Sequence, residues 1–205
     1  MPIKKIIIFV FILFASFSQF VLAKTNNNKS ELTVEADESL EWFEKEKYYL
    51  AKGNVILKKD GVTLKANIVK ADYVLQNGEN ILKKIIAKEK VILTKEETIA
   101  TGQYMTYDLE DKIATISGAF QTFSSPSGYV ESKKNIIFDD INNKAEAEGN
   151  VKIILSNKTI IYADNVKADF EPTNKSLKKA IAKGNVVIEN KAKSRKSRAD
   201  LGVYN

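Results

Sequence analysis

From Leu32 onward, apolar and polar positions alternate in short runs. Val55 and Leu57 alternate with Ile56 and Lys58, Val151 and Ile153 with Lys152 and Ile154, and Val186 and Ile188 with Val187 and Glu189. A period of two places every second side chain on one face of an extended strand, so each run predicts a strand with a core-facing stripe. β-Branched residues dominate these runs. Turn formers separate them, as in Lys59-Asp60-Gly61, Asn77-Gly78-Glu79 and Asn142-Asn143-Lys144. A helical period is nowhere sustained, although Leu82–Ile86 mimics one briefly. The pattern predicts an all-β chain.

The runs also repeat. AKGNV occurs at Ala51–Val55 and again at Ala182–Val186, with AEGNV at Ala147–Val151 and weaker copies at Ala87–Val91 and Ile116–Phe120. The glycine position falls at Gly53, Glu89, Gly118, Gly149 and Gly184, in steps of 36, 29, 31 and 35 residues. Between these copies lies a second phrase that ends on an aromatic, as in LKANIVKADY (Leu64–Tyr73) and IYADNVKADF (Ile161–Phe170). Its aromatics, Phe43, Tyr73, Tyr107, Phe138, Phe170 and Tyr204, are spaced by 30, 34, 31, 32 and 34 residues. Two anchors sharing one period establish a structural repeat of about 32 residues.

Glycine and asparagine tolerate positive φ, so the Gly-Asn pair predicts a sharp bend after which the strand resumes. Apolar residues stand four before the glycine (Tyr49, Ile85, Ala114, Ala145, Ala180), two before it (Ala51, Ala87, Ile116, Ala147, Ala182) and two after it (Val55, Val91, Phe120, Val151, Val186). Each unit therefore sends two apolar stripes into one interior, and about five or six units build a stacked β-solenoid or an open β-roll. The recurrent alanines either let the walls approach closely or leave a slot between them. A filled core is the ordinary meaning of such stripes, and a ligand-holding slot is the alternative. Gly-Asn is lost at Glu89-Lys90 and Gly118-Ala119, where a different turn is expected.

Composition removes many chemistries. The chain has 205 residues, no histidine and no cysteine, which excludes His-based acid–base catalysis, thiol nucleophiles, disulfides and His/Cys metal sites. No G-x-x-x-x-G-K-[ST] phosphate loop is present. The +6 charge comes mainly from lysine and is not by itself a nucleic-acid signature. The only acidic clusters with catalytic potential are Asp139-Asp140 and Asp108/Glu110/Asp111, both in turn-like positions. At the N-terminus, Lys4 and Lys5 precede an apolar run ending in Val21-Leu22-Ala23. This predicts a signal peptide over residues 1–23 with cleavage after Ala23, export to the periplasm, and a disordered segment over 24–31. The run also approaches the length of a membrane span, so an uncleaved anchor is the alternative.

The alternating phrases, VEADESLEWF near Ala36, K-G-N-V, IYADNVKADF and E-G-N-V, resemble the OstA-like family of lipopolysaccharide-transport proteins over Leu32–Asn205. The resemblance implies a repetitive, twisted, partly open antiparallel β-jelly roll without catalytic residues or cofactors. Its apolar groove would shelter the acyl chains of lipopolysaccharide (lipid A) between inner and outer membranes. Expected partners are other OstA-fold proteins of the membrane complexes and the chain itself, stacked end to end through Leu32–Trp42 and Arg198–Tyr204. The inward positions expected to line the groove are Val55, Leu57, Leu64, Val69, Val91, Leu93, Met105, Phe120, Val151, Ile153, Val166, Phe170, Val186 and Ile188. Lys191, Lys193, Arg195, Lys196 and Arg198 are candidate contacts for headgroup phosphates, or a solvated strand that charge protects from aggregation. A membrane-anchored component of the same machinery, a self-stacking surface protein and a carbohydrate-active β-helix enzyme remain as alternative readings.

Overall fold

The computed structural model describes residues 32–173 and 176–204; the predicted signal peptide and the 24–31 segment lie outside them. All fourteen strands join one antiparallel sheet. The chain begins with β1 (Thr33–Glu35) and β2 (Ser39–Phe43), which pair with opposite halves of β3 (Tyr48–Lys59). β4 (Val62–Gln76), β5 (Glu79–Lys95) and β6 (Thr98–Asp108) follow as long strands. β7 (Ile113–Ser117) and β8 (Gln121–Ser125) both pair with β6, while β9 (Gly128–Ser132) and β10 (Asn135–Asp139) both pair with β11 (Lys144–Leu155). β12 (Thr159–Phe170), β13 (Leu177–Asn190) and β14 (Arg195–Tyr204) complete the sheet. Each interrupted pair acts as one bent strand, so the sheet is a meander of eleven positions, each joined to the next by a hairpin. The pattern left a solenoid and a roll open; the chain forms the roll.

The repeated phrase is the bend. Gly53 and Asn54 take φ of 82° and 41°, and the ladder jumps from Lys52↔Ile68 to Val55↔Ala66, so two residues face only Asn67. The same two-against-one bulge recurs at Gly149-Asn150 opposite Asp164 and at Gly184-Asn185 opposite Asp200. Glycine is required for contact as well as for φ. A Cβ on Gly53 would lie 2.9 Å from the Glu38 backbone nitrogen and 2.5 Å from Glu38 Cγ. Of the two degenerate copies, one keeps the geometry. Glu89 and Lys90 hold φ of 63° and 54° and bulge opposite Gln103, so no different turn forms there. At Gly118 the strand breaks instead, and β7 and β8 separate around Gly118–Phe120.

The second phrase supplies a polar partner at three of the four bulges, whereas Gly149 meets Lys133 and Lys134. Asn54 Nδ2 donates to Asp37 Oδ2 at 2.8 Å, and Asn185 Nδ2 donates to Asp164 Oδ2 at 2.9 Å. Both aspartates belong to the preceding bent strand, just after an alanine. At the degenerate copy the chemistry is exchanged: Asn67 now donates, to Glu89 Oε2 at 3.1 Å. The amide–carboxylate pair survives with its two members swapped.

Bending at these bulges folds the sheet into two walls that face each other. Residues before the odd-strand bulges and after the even-strand bends form the first wall, and the remaining halves form the second. One core runs between them from Ala51, Val55 and Leu57 through Leu93, Met105 and Tyr107 to Phe123, Phe138 and Val151. Gln121 is an exception, because it is fully buried yet neither amide atom has a hydrogen-bond partner among the described residues. Its register partner, buried Ser132, donates to the Asn135 carbonyl at 2.9 Å.

Two stability changes are expected. Gly53→Ala should cost about 1–2 kcal/mol in urea unfolding, because the left-handed backbone and Glu38 both oppose a Cβ, whereas Glu89→Gly should gain about 0.5–1 kcal/mol by relieving a non-glycine residue at positive φ. Gln121→Leu should raise stability by about 1 kcal/mol or more by removing a buried amide without partners. An unchanged urea midpoint in any of these variants would contradict the corresponding account.

Candidate functional site

Register assigns each inward residue to a row that crosses the whole sheet, and the rows explain where the interior is filled and where it is open. On the second wall, the row one step in from the strand ends reads Leu57, Leu64, Leu93, Ala100 and Phe123, then Val130, Ile153, Ile161, Ile188 and Ser197. It is aliphatic almost throughout. The facing row of the first wall begins Trp42, Tyr49, Ala71, Ile85, Tyr107, Ala114 and Phe138. It then holds three alanines in succession, Ala145, Ala168 and Ala180, before Tyr204 on the last strand.

Large side chains close the N-terminal part. Tyr49 and Tyr73 lie 5.0 Å apart ring to ring, and Trp42 Nε1 donates to the Tyr73 hydroxyl at 2.7 Å. Burial pushes the Tyr107 hydroxyl well above the usual tyrosine range, with Asp140 and Asp108 adding to the shift. Further along, Phe123 of the second wall meets Phe138 of the first at 5.4 Å between ring centroids. Beyond that pair the alanine triplet withdraws the first wall, and a cavity of about 370 Å³ opens. Ala145, Ala168, Ala180, Ala182 and Gly202 form its small-residue side, while Ile153, Leu155, Ile161 and Ile188 form its aliphatic side. Glu146 is the one carboxylate in the lining, and it is held by Asn165 Nδ2 at 2.7 Å and Lys167 Nζ at 3.0 Å.

The residues expected to line a groove therefore divide. Ile153, Val166, Phe170 and Ile188 line the cavity. Val55, Leu57, Leu64, Val69, Val91, Leu93, Met105 and Val151 are buried in the packed core, and Val186 is buried one row nearer the bend than Ile188. Phe120, expected inward, is corrected: it is 49% exposed, at the strand break, beside Gln103 and Tyr104 in a separate surface cleft. With Gly-Asn lost there, the two-residue offset that returns an even-numbered position to the interior is missing, and Gln121 turns inward instead. The alanines at Ala145, Ala168 and Ala180, half the reason the cavity exists, were visible in the repeat, but only register shows them to be adjacent.

The basic residues gather on the β13–β14 hairpin, and none of them is in the cavity lining. Lys191 and Lys193 occupy the turn between β13 and β14, where the Lys193 backbone N–H donates to Asn190 Oδ1 at 2.9 Å. Arg195 pairs in register with Asn190, one row beyond Ile188. Lys196 forms an ion pair with Glu189 across the hairpin, and Arg198 stands opposite Val187. The Lys196 hydrogen bond holds the Glu189 carboxyl below the usual carboxylate range, and the charges of Lys196, Lys191 and Arg198 act in the same direction. All five cations are exposed.

The acidic clusters serve as turn caps. Asp139 accepts from the Asn142 backbone N–H at 2.8 Å and from its side chain at 2.7 Å, and Asp108 accepts from the Glu110 and Asp111 backbone N–H groups at 3.0 Å each. Among the described residues no group of three or more acidic side chains is placed to hold a metal ion, and no helix is long and apolar enough to cross a membrane.

Residues 33–134 match the family described as LptA/(LptD N-terminal domain) LPS transport protein. No curated protein matches the chain. Among solved structures it is similar to LptH of Pseudomonas aeruginosa, described as the LptA homologous periplasmic component of the conserved lipopolysaccharide transport device. The two are 12% identical over 86% of this chain and 95% of that one, with a TM-score of 0.32. The matched segment ends inside the meander, and the same phrases and rows continue past it through Ala147–Val151 and Ala182–Val186 to Tyr204. The family match covers 102 of the 205 residues and places segment 33–134 in the OstA-like lipopolysaccharide-transport family.

Proposed function

We propose that the chain is a non-enzymatic periplasmic carrier that shields lipopolysaccharide acyl chains in transit from the inner to the outer membrane. The observation that supports this reading most directly is the apolar cavity at the C-terminal end of the roll. An acyl chain in water costs about 25 cal/mol for each Å² of apolar surface exposed, and a dry slot between two aliphatic walls removes much of that cost. At about 30 Å³ for a group the size of water, 370 Å³ holds about a dozen methylenes, which amounts to a single chain. The contacts are aliphatic and numerous rather than polar and directional, so a chain can slide between equivalent positions.

The rest of the molecule fits a relay. Lys191, Lys193 and Arg195 lie on the β13–β14 hairpin beyond the lining residue Ile188, and they would meet a phosphorylated headgroup held outside the slot. The edges of β1–β2 and of β14 carry unpaired backbone groups, so other strands can extend the sheet at both ends. No phosphate-binding loop supplies energy, so the driving force comes from elsewhere. In this reading residues 1–23 direct export and are removed after Ala23.

Two experiments bear on the proposal. Ala168→Leu and Ala180→Leu should each fill the slot, lowering lipopolysaccharide binding at least tenfold while leaving the melting temperature unchanged or higher. Ala100→Leu, in the packed core, should instead destabilise by about 1–3 kcal/mol. Retained binding in both slot variants would remove the cavity from the mechanism. A photo-crosslinking residue placed at Ile153 or Ile188 should capture lipopolysaccharide in cells, whereas one at Phe120 should not. Capture from Phe120 alone would place the lipid outside the roll.

A further inference from the structure

The slot is closed on one side from within the sheet. Its lining begins at Phe123, and among the described residues none of β1–β7 reaches it. Phe123 and Phe138 line the slot, yet both also belong to the packed core and are almost fully buried. Each ring therefore has packed side chains on one side and open volume on the other. Met105, Tyr107 and Ile116, which follow on the packed side, are fully buried. The partition does not lie at an edge of the sheet, because β1–β7 flank it on one side and β11–β14 on the other.

Two side chains carry this closure. Along the second wall Phe123 stands between Ala100 and Val130, and along the first wall Phe138 stands between Ala114 and Ala145. Three of those four neighbours are alanines, so nothing bulky in either row shares the task except Val130. The rings meet across the interior at 5.4 Å between centroids, with their planes tilted by 50°. Both strands are pinned beside them. The Thr101 and Thr122 hydroxyls hydrogen-bond at 2.7 Å and tie the strand of Phe123 to β6. Asp139, next to Phe138, caps the following turn by accepting from the Asn142 backbone and side chain at 2.8 and 2.7 Å. Buried rings on pinned strands mark a fixed depth.

We propose that Phe123 and Phe138 form the floor of the slot and set the length of acyl chain that it accepts. This deepens the carrier reading and rests on it. Each methylene that enters a dry apolar slot strengthens binding about fourfold. The gain stops at the floor, where a longer chain leaves its extra carbons in water or forces the packing apart. With 370 Å³ available and about 30 Å³ for each carbon group, the gain ends at about twelve carbons. The aliphatic walls let a chain slide, and the two rings decide how far it goes.

The test measures the affinity of the full-length mature protein for monomeric 1-acyl lysophosphatidic acids with saturated chains of eight to eighteen carbons. Wild-type affinity should rise about fourfold per carbon up to about twelve carbons and then level off. Phe138→Leu takes three carbons from the floor and should move that break about two carbons further out. Ala145→Val, beside Phe138 in the same row, adds two carbons and should bring the break about one or two carbons nearer. The two variants shift the break in opposite directions, so either one carries the test if the other fails to fold. Affinity that climbs unbroken to eighteen carbons, or a break that stays in place in a folded variant, would overturn the floor and leave an apolar carrier intact. Absence of binding at every length would overturn the floor and the carrier reading together.

Discussion

Everything in this molecule depends on a sheet being made to face itself. A long antiparallel meander would otherwise be a flat or gently twisted surface with one face in water, and no run of apolar residues could close it. The left-handed two-residue bulge supplies the fold line. It recurs on β3, β5, β11 and β13, each time opposite a single residue of the next strand, and at Asn54 and Asn185 its amide is tied to a carboxylate on the strand before. Because the bend is a local property of two residues, it can be repeated at will. The chain lengthens by adding pairs of strands without redesigning the core. The bulges at Glu89-Lys90 and Gly149-Asn150 indicate what the fold line requires: positive φ at two residues, with glycine dispensable at the first and the amide–carboxylate contact replaced at the second by Lys133 and Lys134 of the strand before.

Once the walls face each other, side-chain size alone decides what lies between them. The first wall's outer row changes from Tyr, Ile and Phe to three consecutive alanines, while the second wall's row stays aliphatic. Where both rows are large, they interlock into a core of ordinary density, as the Phe123–Phe138 contact illustrates. Where one row is small, the backbone bulges still hold the walls apart, so the missing volume remains as a slot instead of collapsing. Stability and cavity are thereby assigned to different segments of one sheet. The packed N-terminal rungs hold the walls at their spacing, and the C-terminal rungs use that spacing without contributing to it equally.

Strand content, period and the position of each bend were legible in the sequence, because period-two alternation and Gly-Asn are local signals. The partition of the inward residues was not. Leu93 and Ile153 look alike in the sequence, each four residues past the glycine position, yet one is packed and the other lines the slot. The difference lies in what stands across the interior, and that depends on register summed over several hairpins. Phe120 failed for a related reason. Its inward assignment assumed an intact bulge at Gly118, and where the strand breaks, the inward positions of β8 shift by one to Gln121 and Phe123. Gln121 then inherits the inward place, and an amide is left where the neighbouring rungs put valine.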